Sequence, residues 1–170
     1  LRAIAAIRQS IEFLRSQEVP RIGIFGTSLG AIMAVPALNL EPDVKAGILV
    51  AGGVNLAHIM AYSKQRSVAE IRNMRMRKYG ISTDEEYEKI LQKEVHIEPF
   101  DFINLNGSKN AFAVVALQDQ SVPTVDQKLM TDTIQGNVVI RYHDHDHIPS
   151  IIQAYRTNRY EVLSWLKGVL

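Results

Sequence analysis

The chain has no cysteine among its 170 residues. Disulfides, zinc–thiolate sites and a cysteine nucleophile are therefore excluded, while the compartment stays open. Net charge is nearly absent too: 19 Lys and Arg against 18 Asp and Glu leave +1 with His neutral. No field of one sign argues for nucleic acid or an anionic membrane as partner. No apolar run approaches the roughly 18 residues of a membrane span. The opening Leu-Arg-Ala-Ile-Ala-Ala-Ile-Arg reads as an amphipathic helix, not as a charged tip before an apolar signal segment. Internal repeats and low-complexity tracts are lacking. What remains is an ordinary globular composition, 46% hydrophobic, in a chain long enough for one domain with a sizeable core.

One stretch organises it: Arg21-Ile-Gly-Ile-Phe-Gly-Thr-Ser-Leu-Gly-Ala31. Ile22, Ile24 and Phe25 predict a short buried strand, and the apolar residues from Ala31 to Val35 predict a helix. Between them lies Gly26-x-Ser28-x-Gly30. Strand, Gly-x-Ser-x-Gly, helix is the nucleophile-elbow pattern, which lifts a serine above the sheet edge on a sharp, strained turn. Gly26 and Gly30 are expected to let strand and helix approach closely. The helix start favours a developing negative charge, with the Leu29 N–H as one oxyanion donor. The competing reading is a glycine-rich phosphate-holding turn. A Walker-type loop is disfavoured, because no Lys follows the last glycine.

Around this stretch, residues 1–18 predict a helix from Ile4, Ile7, Ile11 and Leu14 on one face. The helix after the elbow extends to about Leu40, with Pro36 kinking or shortening it. Lys45–Ala51 predicts a second strand, continuous in apolar residues as parallel strands are. From Leu56 to Asn106 the character changes: a basic helix over 67–79, a capped helix from Thr83 towards Glu94, and an extended connector over 97–102. The basic stretch reads as a solvated face, and His58 and His96 as ordinary surface or cap residues. Ala111–Leu117 is a third strand, followed by Asp119, a helix over 124–134 and a fourth strand at Val138–Tyr142. A last helix starts at Pro149. Alternating strands and helices predict an α/β fold with a parallel sheet flanked by helices. Sites of such sheets lie beyond the C-terminal strand ends, where Ser28, Asp119 and the histidines at 143, 145 and 147 all fall.

A serine hydroxyl needs a base to take its proton, and the base needs an acid to orient it. The order Ser28, Asp119, His is that of the α/β-hydrolases, and here the chain resembles that superfamily. Gly26-Thr-Ser-Leu-Gly30 matches its elbow. Ala116-Leu-Gln-Asp119-Gln-Ser-Val-Pro123 is similar to its acid turn, with Ala116 where Gly is usual. A final strand, a His and a terminal helix match its last motif, with Asp in place of the usual Gly before the His. The resemblance implies Ser28 as nucleophile, Asp119 as acid and His147 as base, since His147-Ile-Pro149 suits the family pattern. His145 is the alternative base, and Asp126, Asp144 and Asp146 are weaker acids. It also implies a serine esterase or lipase-like activity on a small ester or acyl substrate, without cofactor. The segment 56–106 sits where family members carry a helical cap, within a single domain spanning 1–170.

The superfamily's domain has eight strands, and four are read here. The resemblance thus implies a longer native chain, an associated N-terminal fragment, or a homodimer covering the edge of the first strand, with the first preferred. Two other functions stay open. One is a non-catalytic binding or interaction module on the same fold. The other is metal-dependent hydrolysis through His143, His145 and His147, against which stand the spacing of the three and the lack of a further ligand downstream.

Overall fold

Four apolar segments form the strands: β1 (Ile22–Thr27), β2 (Val44–Val50), β3 (Asn110–Ala116) and β4 (Val138–His143). In the computed structural model, which describes residues 2–170, they pair in parallel in the order β1-β2-β3-β4. The central strands read as uninterrupted apolar runs because both of their faces are covered. Residues Ala111 to Ala116 of β3 are all buried. Among the described residues β1 pairs only with β2, and its Phe25 is exposed. With no charge or proline along Ile22–Thr27, this edge carries none of the usual protection against further pairing.

Alternate residues of each strand feed two apolar layers. On one face, Ile22, Val44, Leu49 and Ala111 pack with α1 (Arg2–Ser16), α2 (Leu29–Leu40) and α6 (Thr124–Thr133). The expected first helix is α1; Leu1 lies outside the described residues. Helix α2 is apolar all round and correspondingly buried, with eight of its residues in the interior. It runs unbroken through the buried Pro36, so the proline does not shorten it. On the other face, Ile48, Val50, Phe112 and Val114 pack under a C-terminal helical segment. This segment is α7 (His147–Gln153), a π-helical turn (Ala154–Asn158) and α8 (Arg159–Val169). Trp165 meets Phe112 edge to face at 5.8 Å.

Between β2 and β3 lie three helices, α3 (Leu56–Tyr62), α4 (Arg66–Tyr79) and α5 (Asp84–Glu94). Their own small core joins Ala57 and Ala61 to Tyr87 and Leu91. No residue of α4 is buried, in keeping with the solvated face read from its charges. Thr83 caps α5 through the Glu86 N–H, while the Glu86 carboxylate accepts from the Ser82 N–H. Both ends of the segment are tied together: the Glu98 carboxylate accepts the Leu56 N–H at 2.8 and 2.9 Å.

Two expectations are corrected. Residues 97–102 are not an extended connector; Pro99–Phe102 is a 3₁₀ turn, with Pro99 at its start and Glu98 capping the Phe100 N–H. The last helix begins at His147, not Pro149. Asp146 caps it, and Pro149 sits in the first turn, where no intrahelical N–H is needed. Among the described residues no helix is long and apolar enough to cross a membrane.

Candidate active site

The turn between β1 and α2 places Ser28. Its backbone has φ 53° and ψ −125°, a region that L-residues rarely adopt. The Ser28 N–H donates to the Val50 carbonyl at 2.9 Å, which pins the turn to β2. Gly26 makes the turn possible: a Cβ there would lie 2.4 Å from the Gly30 carbonyl oxygen and 2.6 Å from the Ala31 nitrogen. Gly30 departs from expectation, since a Cβ there would meet nothing within 4 Å. The second close approach is instead made by Gly52, whose added Cβ would lie 2.3 Å from that of Ala31. Leu29 is the first residue of α2, so its N–H has no intrahelical acceptor.

Asp119 follows β3 and is 7% exposed. Each of its oxygens accepts two hydrogen bonds. Oδ1 takes the N–H groups of Ser121 (2.7 Å) and Val122 (2.9 Å). Oδ2 takes Gln127 Nε2 (2.8 Å) and His147 Nδ1 (2.6 Å). The carboxylate is thus held in one orientation with both oxygens satisfied.

His147, 6% exposed, stands at the start of α7. An ionised carboxylate only accepts, so Nδ1 carries the proton donated to Asp119 and Nε2 presents its lone pair. Nε2 lies 2.8 Å from Ser28 Oγ, whose hydroxyl donates to it. Asp146 fixes the backbone here, accepting the N–H groups of His147 (2.7 Å) and Gln120 (3.0 Å), which hold its pKa below the usual carboxylate range. Asp146 is a cap, and Asp144 accepts from the Gln118 side chain at 2.9 Å.

The structure thus brings Ser28, Asp119 and His147 together and leaves the alternative residues elsewhere. His145 is exposed in the loop before α7. His143 is buried at the end of β4, its Nδ1 3.1 Å from the Ser150 carbonyl and its Nε2 3.0 Å from Asn158 Oδ1. The three histidines do not converge on one point. Among the described residues no group of three or more His, Asp or Glu is placed to hold a metal ion.

Two neighbours of this line have partners the sequence did not reveal: Gln127, which no reading singled out, and Asp126, read only as a weaker acid. Gln127, fully buried in α6, contacts Asp119 directly. Beside it Asp126, 2% exposed, accepts from or pairs with His58 Nδ1 at 2.8 Å and so joins α6 to α3. The only advance sign was that both residues fall in the first turn of the helix following the acid turn.

Burial raises the Asp126 carboxyl from 3.8 to about 6; Glu88 and Glu98 add to the rise and His58 opposes it. The folded chain therefore holds this proton more tightly than the unfolded chain. Its contribution is greatest below about pH 4 and is lost as pH rises through about 6. Asp126→Asn keeps an acceptor for His58 and removes that loss. Urea unfolding of both proteins at pH 4 and pH 7 is expected to show the variant gaining about 2–3 kcal/mol on wild type between the two.

No model of a known protein family matches the chain, and no curated protein sequence matches it. Solved structures do. An esterase from Pyrococcus furiosus superposes with a TM-score of 0.71 at 17% identity, covering 98% of this chain and 62% of its own. An α/β hydrolase from a Penicillium species gives 0.68 at 14% identity, covering 98% of this chain and 71% of its own. An acetyl xylan esterase from a Paenibacillus species gives 0.67 at 17% identity, covering 95% and 50%. The chain spans about three fifths of the length of the Pyrococcus esterase. Four parallel strands between two helical layers, a strained serine turn after β1 and these superpositions identify the chain's architecture as that of the α/β-hydrolase fold.

Proposed function

We propose that this chain carries the active site of a serine hydrolase that cleaves a carboxylic ester or related acyl bond. The observation that carries the proposal is the continuous hydrogen-bonded line from Ser28 Oγ through His147 to Asp119, at 2.8 and 2.6 Å, with the serine on a strained turn. Likeness to solved esterases supports it.

In the proposed reaction Ser28 Oγ attacks the acyl carbonyl while His147 Nε2 takes the hydroxyl proton. The carbonyl π-electrons move onto oxygen, and the Leu29 N–H donates to the resulting oxyanion. The intermediate collapses, the bond to the leaving group breaks, and His147 returns the proton to the departing oxygen. Water then repeats the sequence on the acyl-serine, releasing the acid and restoring Ser28. Asp119 keeps the proton on Nδ1 and stabilises the imidazolium; it stays ionised throughout.

Leu29 and Ile148, the sequence neighbours of Ser28 and His147, are 62% and 60% exposed. Apolar surface next to the hydroxyl suits an apolar acyl or alcohol group. Helices α3–α5 are proposed as a cap over this surface. Further chain, or a second copy, is proposed to cover the β1 edge and to complete the oxyanion site.

The direct test is pre-steady-state hydrolysis of p-nitrophenyl acetate by the native protein. A burst of nitrophenol approaching one per chain is expected, followed by slower turnover as the acyl-serine hydrolyses. Release with no acyl intermediate detectable by mass spectrometry would contradict the covalent route.

A further inference from the structure

Asp119 Oδ2 accepts from two donors. One donor is His147; the other is the buried side chain of Gln127. Gln127 is fully buried in the first turns of α6, and each of its amide atoms is committed. Its Oε1 accepts the Ala116 N–H at 3.0 Å, at the end of β3. Its Nε2 donates to the Val122 carbonyl at 2.8 Å and to Asp119 Oδ2 at 2.8 Å. The Ala116 N–H can only donate and the Val122 carbonyl can only accept, so the amide cannot flip. Leaving a fully buried glutamine here costs side-chain entropy and desolvation that an apolar residue would avoid. From the other side, Asp126 holds the same helical turn to His58 of α3 at 2.8 Å.

We propose that Gln127 is a positioning residue: clamped by Ala116 and Val122, its amide fixes Asp119 Oδ2 on the line to His147 and so sets how readily His147 takes a proton. The inference deepens the hydrolase reading, because it assigns Gln127 a role in the base's proton affinity as well as in packing. Two features separate it from packing alone. The contact is to the one oxygen that meets His147, and the donor is a neutral amide, which orients a carboxylate without neutralising it.

The substitution that isolates this is Gln127→Glu, nearly identical in shape. Two carboxyl groups within 2.8 Å of one another cannot both ionise freely, so the pair holds a shared proton that couples to the imidazole. Once both are ionised, an added negative charge lies beside the imidazolium and favours it. The His147 titration, read by imidazole nitrogen NMR in the native protein, is expected to move upward. The acid limb of the rate profile for p-nitrophenyl acetate moves with it. Gln127→Met, which removes the donor without adding charge, is expected to lower kcat about tenfold to a hundredfold with KM unchanged.

A purely structural role would lower the unfolding midpoint and leave the His147 titration where it is. That result in Gln127→Glu overturns the proposal. If that variant does not fold, a kcat in Gln127→Met equal to wild type overturns it instead. The NMR titration needs no turnover. A wild-type protein that fails to react with an activated ester would therefore count against the hydrolase reading, while the coupling of Gln127 to His147 would still be decided.

Discussion

Ser28→Ala is expected to lower turnover of p-nitrophenyl acetate by about 10⁶-fold, to the level left by binding and the oxyanion donor alone. The size of the effect follows from the geometry. His147 Nε2 lies 2.8 Å from Ser28 Oγ, the hydroxyl it is placed to activate. The companion variant is Ser28→Gly, which separates chemistry from backbone strain. Both variants lose the nucleophile. Alanine keeps a Cβ at φ 53°, whereas glycine occupies that region freely. Strain of this kind costs about 1–3 kcal/mol, partly offset by the greater freedom of glycine in the unfolded chain. Ser28→Gly is thus expected to be inactive yet about 1 kcal/mol more stable than Ser28→Ala in urea unfolding. Equal stabilities would mean that the turn stores no strain.

Asp119→Asn is expected to lower kcat by about 10⁴-fold while the fold persists. The reason lies in the donors around the carboxylate. The N–H groups of Ser121 and Val122 require an oxygen at Oδ1, so the asparagine amide nitrogen is driven to the Oδ2 position. There it faces Gln127 Nε2, another donor, and His147 Nδ1. His147 must then accept at Nδ1 and carry its proton on Nε2, where it can no longer take one from Ser28. Steady-state hydrolysis, with circular dichroism to confirm folding, checks this. His145→Ala, outside the hydrogen-bonded line, is expected to leave the rate unchanged.

The architecture was legible because its signals are local and repeated. The apolar runs at Ala46–Val50 and Ala111–Ala116 read as strands buried on both faces, while Ile22–Thr27 is a strand with Phe25 left exposed at the sheet edge; the intervening helices make the sheet parallel. Ser28 and Asp119 carried turn chemistry around them. The choice between His145 and His147 was harder from sequence, because a loop two residues shorter would invert it. What places His147 against Ser28 is the capping by Asp146, which starts α7 before Pro149 rather than at it. Gly30 departs from the pattern's expectation because the close approaches in space involve Gly26 and Gly52, which are far apart in sequence. Gln127 and the pairing of Asp126 with His58 left no signal beyond their place in the first turn of the helix after the acid turn. A buried polar side chain finds its partners through tertiary packing, across 8 residues in one case and 68 in the other.

The measurement that tests the central claim most directly is the intact mass of the native protein before and after exposure to a fluorophosphonate, with Ser28→Ala alongside. A strained serine hydrogen-bonded to the His147 imidazole predicts one adduct per chain on wild type, mapped to Ser28, and none on the variant. No adduct on the wild-type protein, or an equal adduct on Ser28→Ala, would contradict the claim and leave the chain as a binding module built on a hydrolase fold.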